Sequence, residues 1–282
     1  MTVQIQDDFD LEKIDGSGQC FRWERDGNGF RIVHGEHALF IRPGGEDRYV
    51  LDCTEEEYAG IWRPYFDLDT SYAQIRGRVE PASDPYLAAA AEAGRGIRIL
   101  RQDPWEIVIT FIISQNRNIP MIRRSVEALC VCAGEVREDR AGRSFRTFPG
   151  PQQLSGLDRD TLMGPCVLGY RWKYVQDVSR RAAEGLFLPE RISKMPDREA
   201  MEALMDLPGV GPKVASCILL FGFHRLDFFP VDVWIRRVLE EEYPQGYDRE
   251  KYTPYNGVYQ QYLFAYSRAR AGRGSEMPRN PG

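Results

Sequence analysis

The apolar positions divide the chain into two regimes. From about residue 9 to 80 apolar and polar residues alternate in short runs, as in FRWERDGNGFRIVHGEHALFIRPGGEDRYVLDC, and DGNG, HGE and PGGED break them. A period of two punctuated by glycine turns predicts an antiparallel sheet of four to six strands. GSGQCFRW, residues 16 to 23, opens that region, and glycines on both sides of Ser17 leave its backbone accessible. Tyr58, Ile61 and Trp62 share a helical period and place a helix across the sheet. From 81 onward the period becomes helical. Residues 84 to 94 form an alanine-rich helix. Asp103, Pro104 and Glu106 read as an N-cap, an N1 proline and a capping-box glutamate. The WEIVITFIISQ segment that follows is apolar nearly all round, which predicts a central helix. SQNRNIP, 114 to 120, breaks it with Asn116, Arg117 and Asn118, either as plain loop or as groups that enter a nucleic-acid helix and read base edges. A helix follows near 120 to 133. GEVREDRAGRS reads as a polar, solvent-facing insertion. Two more helices then flank a turn at 164 to 170, and Asp197 is expected to cap the helix after it.

The densest signal is LMDLPGVGPKVASCILLFGFHRLDFFPVDVWIRRVLE, 204 to 239. It reads as helix, glycine turn, helix, loop and a further helix start. Gly209 and Gly211 permit positive φ and close approach of backbone to a partner. Pro212 suits the first turn of a helix. Lys213 stands in that same turn, where the helix dipole disfavours a cation. The turn is not a phosphate loop of the GxxxxGK[ST] kind. It is either a structural helix–helix turn or one whose amides hold a nucleic-acid phosphate. Asp232 follows the apolar FFPV run, which implies limited solvent, and stands where the next helix begins. It is a plain N-cap or a carboxylate facing a reacting centre. Lys213 and Asp232 form either a salt bridge or a nucleophile with its electrostatic partner. An attacking amine must be neutral; burial and the helix end lower its pKa, and a nearby carboxylate opposes that. Cys217, four residues after Lys213, shares its helix face. Gln260 and Phe264 share a face of an amphipathic helix at 258 to 270. They are core packing by default, or an aromatic plate with an amide for the edge of a flipped base.

Composition narrows the partners. The 282 residues carry a formal charge of −5, against a nonspecific nucleic-acid coat but not against a local basic groove. Six cysteines, at 20, 53, 130, 132, 166 and 217, make no CxxC pair, and with three histidines no zinc or iron–sulfur spacing arises. Free thiols in a reducing compartment follow. No apolar run is long enough to span a membrane, and the polar, acidic first residues are not a signal peptide. The cytoplasm or the nucleoid is the expected location.

Taken together, SGQCFRW, QDPWE…FIISQNRNI, LGYRWKYV, LPGVGPKVASC, PVDVW and YQQYLF resemble the 8-oxoguanine DNA glycosylase/AP lyase family, bacterial branch, of the helix-hairpin-helix glycosylases. They span about residues 17 to 266. The resemblance implies an α+β fold: a sheet domain over 1 to 80, a two-lobed helical body over 81 to 270 with the hairpin at 204 to 220, and a disordered tail at 271 to 282. It implies a monomer that acts on double-stranded DNA containing oxidised guanine, excises the base and nicks the strand through a Schiff base. No cofactor is required, and the hairpin carbonyls can hold a monovalent cation. Lys213 matches the nucleophile and Asp232 the catalytic carboxylate. The carbonyl of Gly18 would sense the N7 proton of 8-oxoguanine, Gln260 its Watson–Crick edge, and Phe264 and Cys217 its two faces. Asn116 would fill the vacated space, Tyr170 would wedge beside the orphaned partner and Arg171 would bond the opposite cytosine. The hairpin, with Gly209 and Gly211, would bind DNA backbone. Two positions depart from eukaryotic members. Met121 replaces an arginine that reads the opposite cytosine, so discrimination there should be looser. Trp234 replaces a phosphate-contacting histidine. Readings kept beside this one are an alkylpurine glycosylase, which usually lacks the hairpin lysine, and a noncatalytic module that binds damaged DNA.

Overall fold

A computed structural model describes residues 1–274. Strands β1 (Thr2–Gln4), β2 (Trp23–Asp26), β3 (Gly29–His34), β4 (His37–Pro43) and β5 (Arg48–Leu51) form one antiparallel sheet in the order β1-β5-β4-β3-β2. Tight turns set the register, pairing Asp26 with Gly29 and His34 with His37. The alternation drives Phe30, Ile32, Leu39 and Ile41 to one buried face. Helix α1 (Leu11–Gly16) covers it together with α2 (Glu55–Glu57), a π-helical turn (Tyr58–Trp62) and α3 (Arg63–Tyr65). A capping box between Thr54 and Glu57 starts that second segment, and Trp62, Tyr65 and Phe66 complete the sheet core.

The helical body comprises α4 (Tyr72–Gly77), α5 (Pro85–Ala93), α6 (Pro104–Ser114), α7 (Ile119–Ala133), α8 (Pro151–Ser155), α9 (Arg159–Met163), α10 (Trp172–Ala183), α11 (Pro189–Lys194), α12 (Asp197–Met205), α13 (Pro212–Phe221), α14 (Val233–Glu242), α15 (Arg249–Tyr252) and α16 (Asn256–Gly274). Asp84, Asp103, Asn118, Asp158 and Asp248 each accept an amide proton of the first turn they precede. Helix α6 is buried from Ile107 to Ile113 and packs on α7, α10 and α13. Helix α16 gathers α5, α14 and α15 into a second lobe. The seam to the sheet is held by Arg98, which is fully buried and donates to the carbonyls of Asp8, Asp67 and Thr70.

Four local expectations are corrected. Residues in the polar insertion form a second hairpin, β6 (Val136–Glu138) with β7 (Ser144–Arg146), tied to the main sheet by Arg31 on Asp139 at 2.9 Å. Its strands are too short and polar to show a period. Asp197 does not cap α12. It lies inside the first turn and pairs with Arg225 at 2.7 Å, while Pro196 takes the cap position. Asp103 caps α6, but Glu106 leans toward Arg22 at 4.0 Å in place of closing a capping box. Helix α16 runs on to Gly274, so 271–274 are helical and not a disordered tail; a long helix already nucleated tolerates the glycine penalty. Residues 275–282 lie outside the described residues.

Candidate active site

The hairpin between α12 and α13 depends on one left-handed residue. Gly209 has φ +79°, and a Cβ there would stand 2.5 Å from a ring carbon of Tyr174, so no side chain fits. Gly211 is extended at φ −93°, so of the two glycines only Gly209 uses the positive φ that both permit; Gly211 is the cap residue of α13. No side chain caps that helix, which leaves its first amides open to an anion.

Lys213 is the second residue of α13 and is exposed. Its nitrogen lies 5.7 Å from the centre of the Phe111 ring, which in turn stacks on Phe221. Among the described residues no carboxylate comes within 4.0 Å of it, so the salt bridge to Asp232 does not form. One turn on, Cys217 is 3% exposed. Burial pushes its thiol up to about 11; Lys213 opposes the shift and Asp232 adds to it. The thiol thus stands in the fields of both groups and stays protonated, a small apolar wall. Asp232 is half-buried and caps α14: Oδ1 accepts from the amides of Trp234 at 3.0 Å and Ile235 at 2.9 Å. Those two bonds fix the carboxylate's orientation, and Oδ2 takes no donor among the described residues. Trp234 itself is half-buried beneath the Arg237 guanidinium.

The loop after α1 faces this group across α16. Gly18 has φ +77°, and a Cβ on it would meet Ile119 Cδ1 at 3.4 Å and Phe264 Cε1 at 3.6 Å. Its carbonyl takes no donor among the described residues. The residue that holds this loop escaped the sequence reading. Gln19 is fully buried; Nε2 donates to Ser17 Oγ and to the Arg98 carbonyl, and Oε1 accepts from Leu100 N–H at 2.8 Å. An amide lodged between apolar positions of SGQCFRW was the available signal. On α16, Gln260 is buried, with Nε2 donating to the Pro230 carbonyl at 3.0 Å and Oε1 accepting from Gln261 at 2.9 Å. It is thus tied to the segment that carries Asp232. Arg268 covers one face of Phe264 at 5.2 Å and donates to the Gly16 carbonyl.

A third group lies at the ends of two loops. Asn116, at φ +51°, and Tyr170 are both exposed, with Asn116 Nδ2 3.5 Å from the tyrosine hydroxyl. Arg171 is not presented to solvent as expected of a base-reading residue. It is 6% exposed, donates through Nε and Nη2 to the Gln115 carbonyl, and lies 4.4 Å over the Tyr170 ring. Met121 is in the first turn of α7 and is 36% exposed. Among the described residues no three His, Cys, Asp or Glu side chains are placed to hold a metal ion, and no helix is long and apolar enough to cross a membrane.

Several known proteins are similar to this chain along nearly its whole length. A family profile described as the N-terminal domain of 8-oxoguanine DNA glycosylase matches residues 2–108. A probable N-glycosylase/DNA lyase of Methanothermobacter thermautotrophicus is 31% identical, with 93% of this chain and 94% of that protein covered. The chain belongs to the 8-oxoguanine DNA glycosylase/lyase family. The likeness extends to the architecture. MBOgg1 in complex with a low-affinity DNA ligand matches at a TM-score of 0.89 and 34% identity, over 96% of each chain. The 8-oxoguanine glycosylase/lyase of Clostridium acetobutylicum, bound to duplex DNA with cytosine opposite 8-oxoguanine, matches at 0.86 and 34%, over 96% of this chain and 98% of that one. The sheet followed by a helical body is thus the arrangement shared with these glycosylases, and the helix-hairpin-helix lies in the helical part.

Proposed function

We propose that this chain is a bifunctional DNA glycosylase and abasic-site lyase that removes 8-oxoguanine from duplex DNA. The observation that carries the reading is the placement of Lys213 and Asp232 at the starts of α13 and α14, with the Cys217 thiol in the field of both. The lesion is turned out of the stack at a cost of a few kcal/mol and lodges between Cys217 and Phe264. Its N7–H donates to the Gly18 carbonyl. Guanine has no proton there, so two acceptors would face each other, at a cost of about 1–3 kcal/mol. Gln260 holds the Watson–Crick edge through the donor and acceptor capacity that its bonds to Pro230 and Gln261 leave free.

The neutral Lys213 amine bonds C1′ while the C1′–N9 bond breaks; the base leaves with that electron pair and takes up the proton that the newly bonded amine gives up. The Asp232 carboxylate stabilises the positive charge that develops on the sugar. The sugar ring then opens to a Schiff base, a proton leaves C2′ and the C3′–O bond breaks, which nicks the strand. Asn116 fills the space left by the base, Tyr170 wedges beside the orphaned partner with Arg171 beneath its ring, and the amides of 209–211 and Trp234 contact backbone. The carbonyls of Pro208, Gly209 and Val210 take no donor among the described residues, which suits a monovalent cation. No cofactor takes part, and the enzyme works as a monomer in the cytoplasm or on the nucleoid.

Borohydride trapping on a duplex with a single 8-oxoguanine tests this. The wild-type chain should form a covalent adduct at Lys213, and Lys213→Gln should form none while still binding the duplex. Binding without an adduct by the wild type would favour a noncatalytic module. Full excision by Lys213→Gln would overturn the nucleophile.

A further inference from the structure

Two loops face each other at the wedge, one around 114–118 and the other around 164–171. Each contains a strained residue. Asn116 has φ +51°, and Val167, a β-branched residue, has φ +55°. A valine keeps that conformation only where its surroundings enforce it. Arg117 supplies the enforcement. From the first loop it donates Nη2 to the Val167 carbonyl of the second, and Nη1 to the hydroxyl of the buried Ser125. Arg171 returns the contact, with Nε and Nη2 on the Gln115 carbonyl of the first loop. Among the described residues neither guanidinium has a carboxylate within 4.0 Å. Burial and the neighbouring Arg171 charge both push Arg117 below the usual arginine range, so the two cations stand close and uncompensated. Their hold on carbonyls of the opposite loop, with the Ser125 hydroxyl under Arg117 and the Tyr170 ring under Arg171, keeps them there.

We infer that Arg117 is a positioning residue for base eversion: with Arg171 it forms a reciprocal clamp that locks both loops, so that Asn116 and Tyr170 meet DNA as one rigid wedge. The inference rests on the proposed function. Arg117 touches neither the lesion nor the reacting atoms; it acts through Val167 and the loop that ends in Tyr170. The Tyr170 ring packs edge-on against Tyr174, which closes over Gly209, so the wedge is also braced against the hairpin.

The test places 2-aminopurine beside 8-oxoguanine and reads its fluorescence in a Lys213→Gln background, where unstacking is seen without chemistry. Adding Arg117→Gln should abolish most of the fluorescence rise. In the otherwise wild-type chain Arg117→Gln should slow single-turnover excision ~10–100-fold, with nicking of a preformed abasic site changed by no more than about twofold. Arg117→Lys keeps the charge but not the planar fork, and should not rescue. A normal fluorescence rise, equal loss of excision and nicking, or full rescue by lysine would each overturn the clamp. Absence of excision by the wild-type chain, with the fluorescence rise intact, would instead refute the proposed function.

Discussion

Glu106→Gln isolates a buried charge at the start of α6. Glu106 lies in the first turn of α6, with its side chain 13% exposed and its nearest cation, Arg22, at 4.0 Å. Burial pushes its carboxyl from 4.5 up to about 7; Arg22 opposes the shift, and Asp103 and Glu127 add to it. The folded chain therefore keeps a proton that the unfolded chain releases between about pH 4.5 and 7. Because the native state binds more protons in that window, stability falls as pH rises through it and then levels off. A rise of some 2.5 units corresponds to about 3 kcal/mol at full burial, and the residual solvent contact reduces this to about 2 kcal/mol. Glutamine has the shape of the protonated acid and no charge to lose. At pH 5 variant and wild type should unfold at nearly the same denaturant concentration, and at pH 8 the variant should be more stable by about 2 kcal/mol. The assay is urea unfolding followed by tryptophan fluorescence at both pH values. A variant less stable at pH 8 than at pH 5, relative to wild type, would refute the reasoning. It would mean that the carboxylate is charged and productively paired with Arg22.

Three further outcomes concern the chemistry. Asp232→Asn retains the Oδ1 acceptor that caps α14 but loses the charge, so single-turnover excision should fall ~10²–10³-fold with the lesion still bound; an unchanged rate would reject its role. Met121→Arg should sharpen the preference for cytosine opposite the lesion by about tenfold or more, and equal rates opposite all four bases before and after substitution would count against it. Gly18→Ala places a methyl group 3.6 Å from Phe264 in a backbone conformation that costs an L residue roughly 1–2 kcal/mol, so excision should suffer more than nicking of a preformed abasic site, and wild-type excision would refute the fit.

What could be read from the chain alone was whatever has a period or a stereochemical signature. The sheet, the central α6 with its Asp-Pro start and the hairpin through Gly209 all announce themselves in this way, whereas Asn118, read as loop, turned out to cap α7. The hairpin at β6 and β7 did not announce itself, because strands of three residues, with Phe145 the one buried position, are too short to show an alternation. Asp197 was misplaced by one residue because an aspartate serves equally well as a cap or in the first turn, and Arg225, distant in sequence, decided between them. Side-chain state was the least legible. Lys213, in the first turn of α13, reaches solvent while Cys217, one turn deeper, is enclosed, and the shared helix face did not separate the two. Arg171 was expected to face a base but bonds the Gln115 carbonyl, a contact between residues 56 positions apart. No local pattern encodes it.

The formal charge of −5 seemed to argue against a polyanion as partner. The distribution of pairs removes the conflict. Asp8 is shared by Arg76 and Arg95, Asp139 by Arg31 and Arg143, and Asp177 by Arg180 and Arg181. A second acid completes each cluster, Glu92 on Arg76, Asp26 on Arg143 and Glu184 on Arg180, so two cations meet two carboxylates and little field extends beyond them. Lys213, Arg117 and Arg171 have no such partner within 4.0 Å among the described residues. Lys213 stands at the uncapped start of α13, whose amides add their own partial positive charge. Long-range steering follows the summed charge, which is weakly negative. Close binding follows the local field, because exposed charges farther than about 10 Å apart are largely screened at ordinary salt. The sign that a DNA phosphate meets at the cleft is therefore set by which cations the fold leaves without an acid.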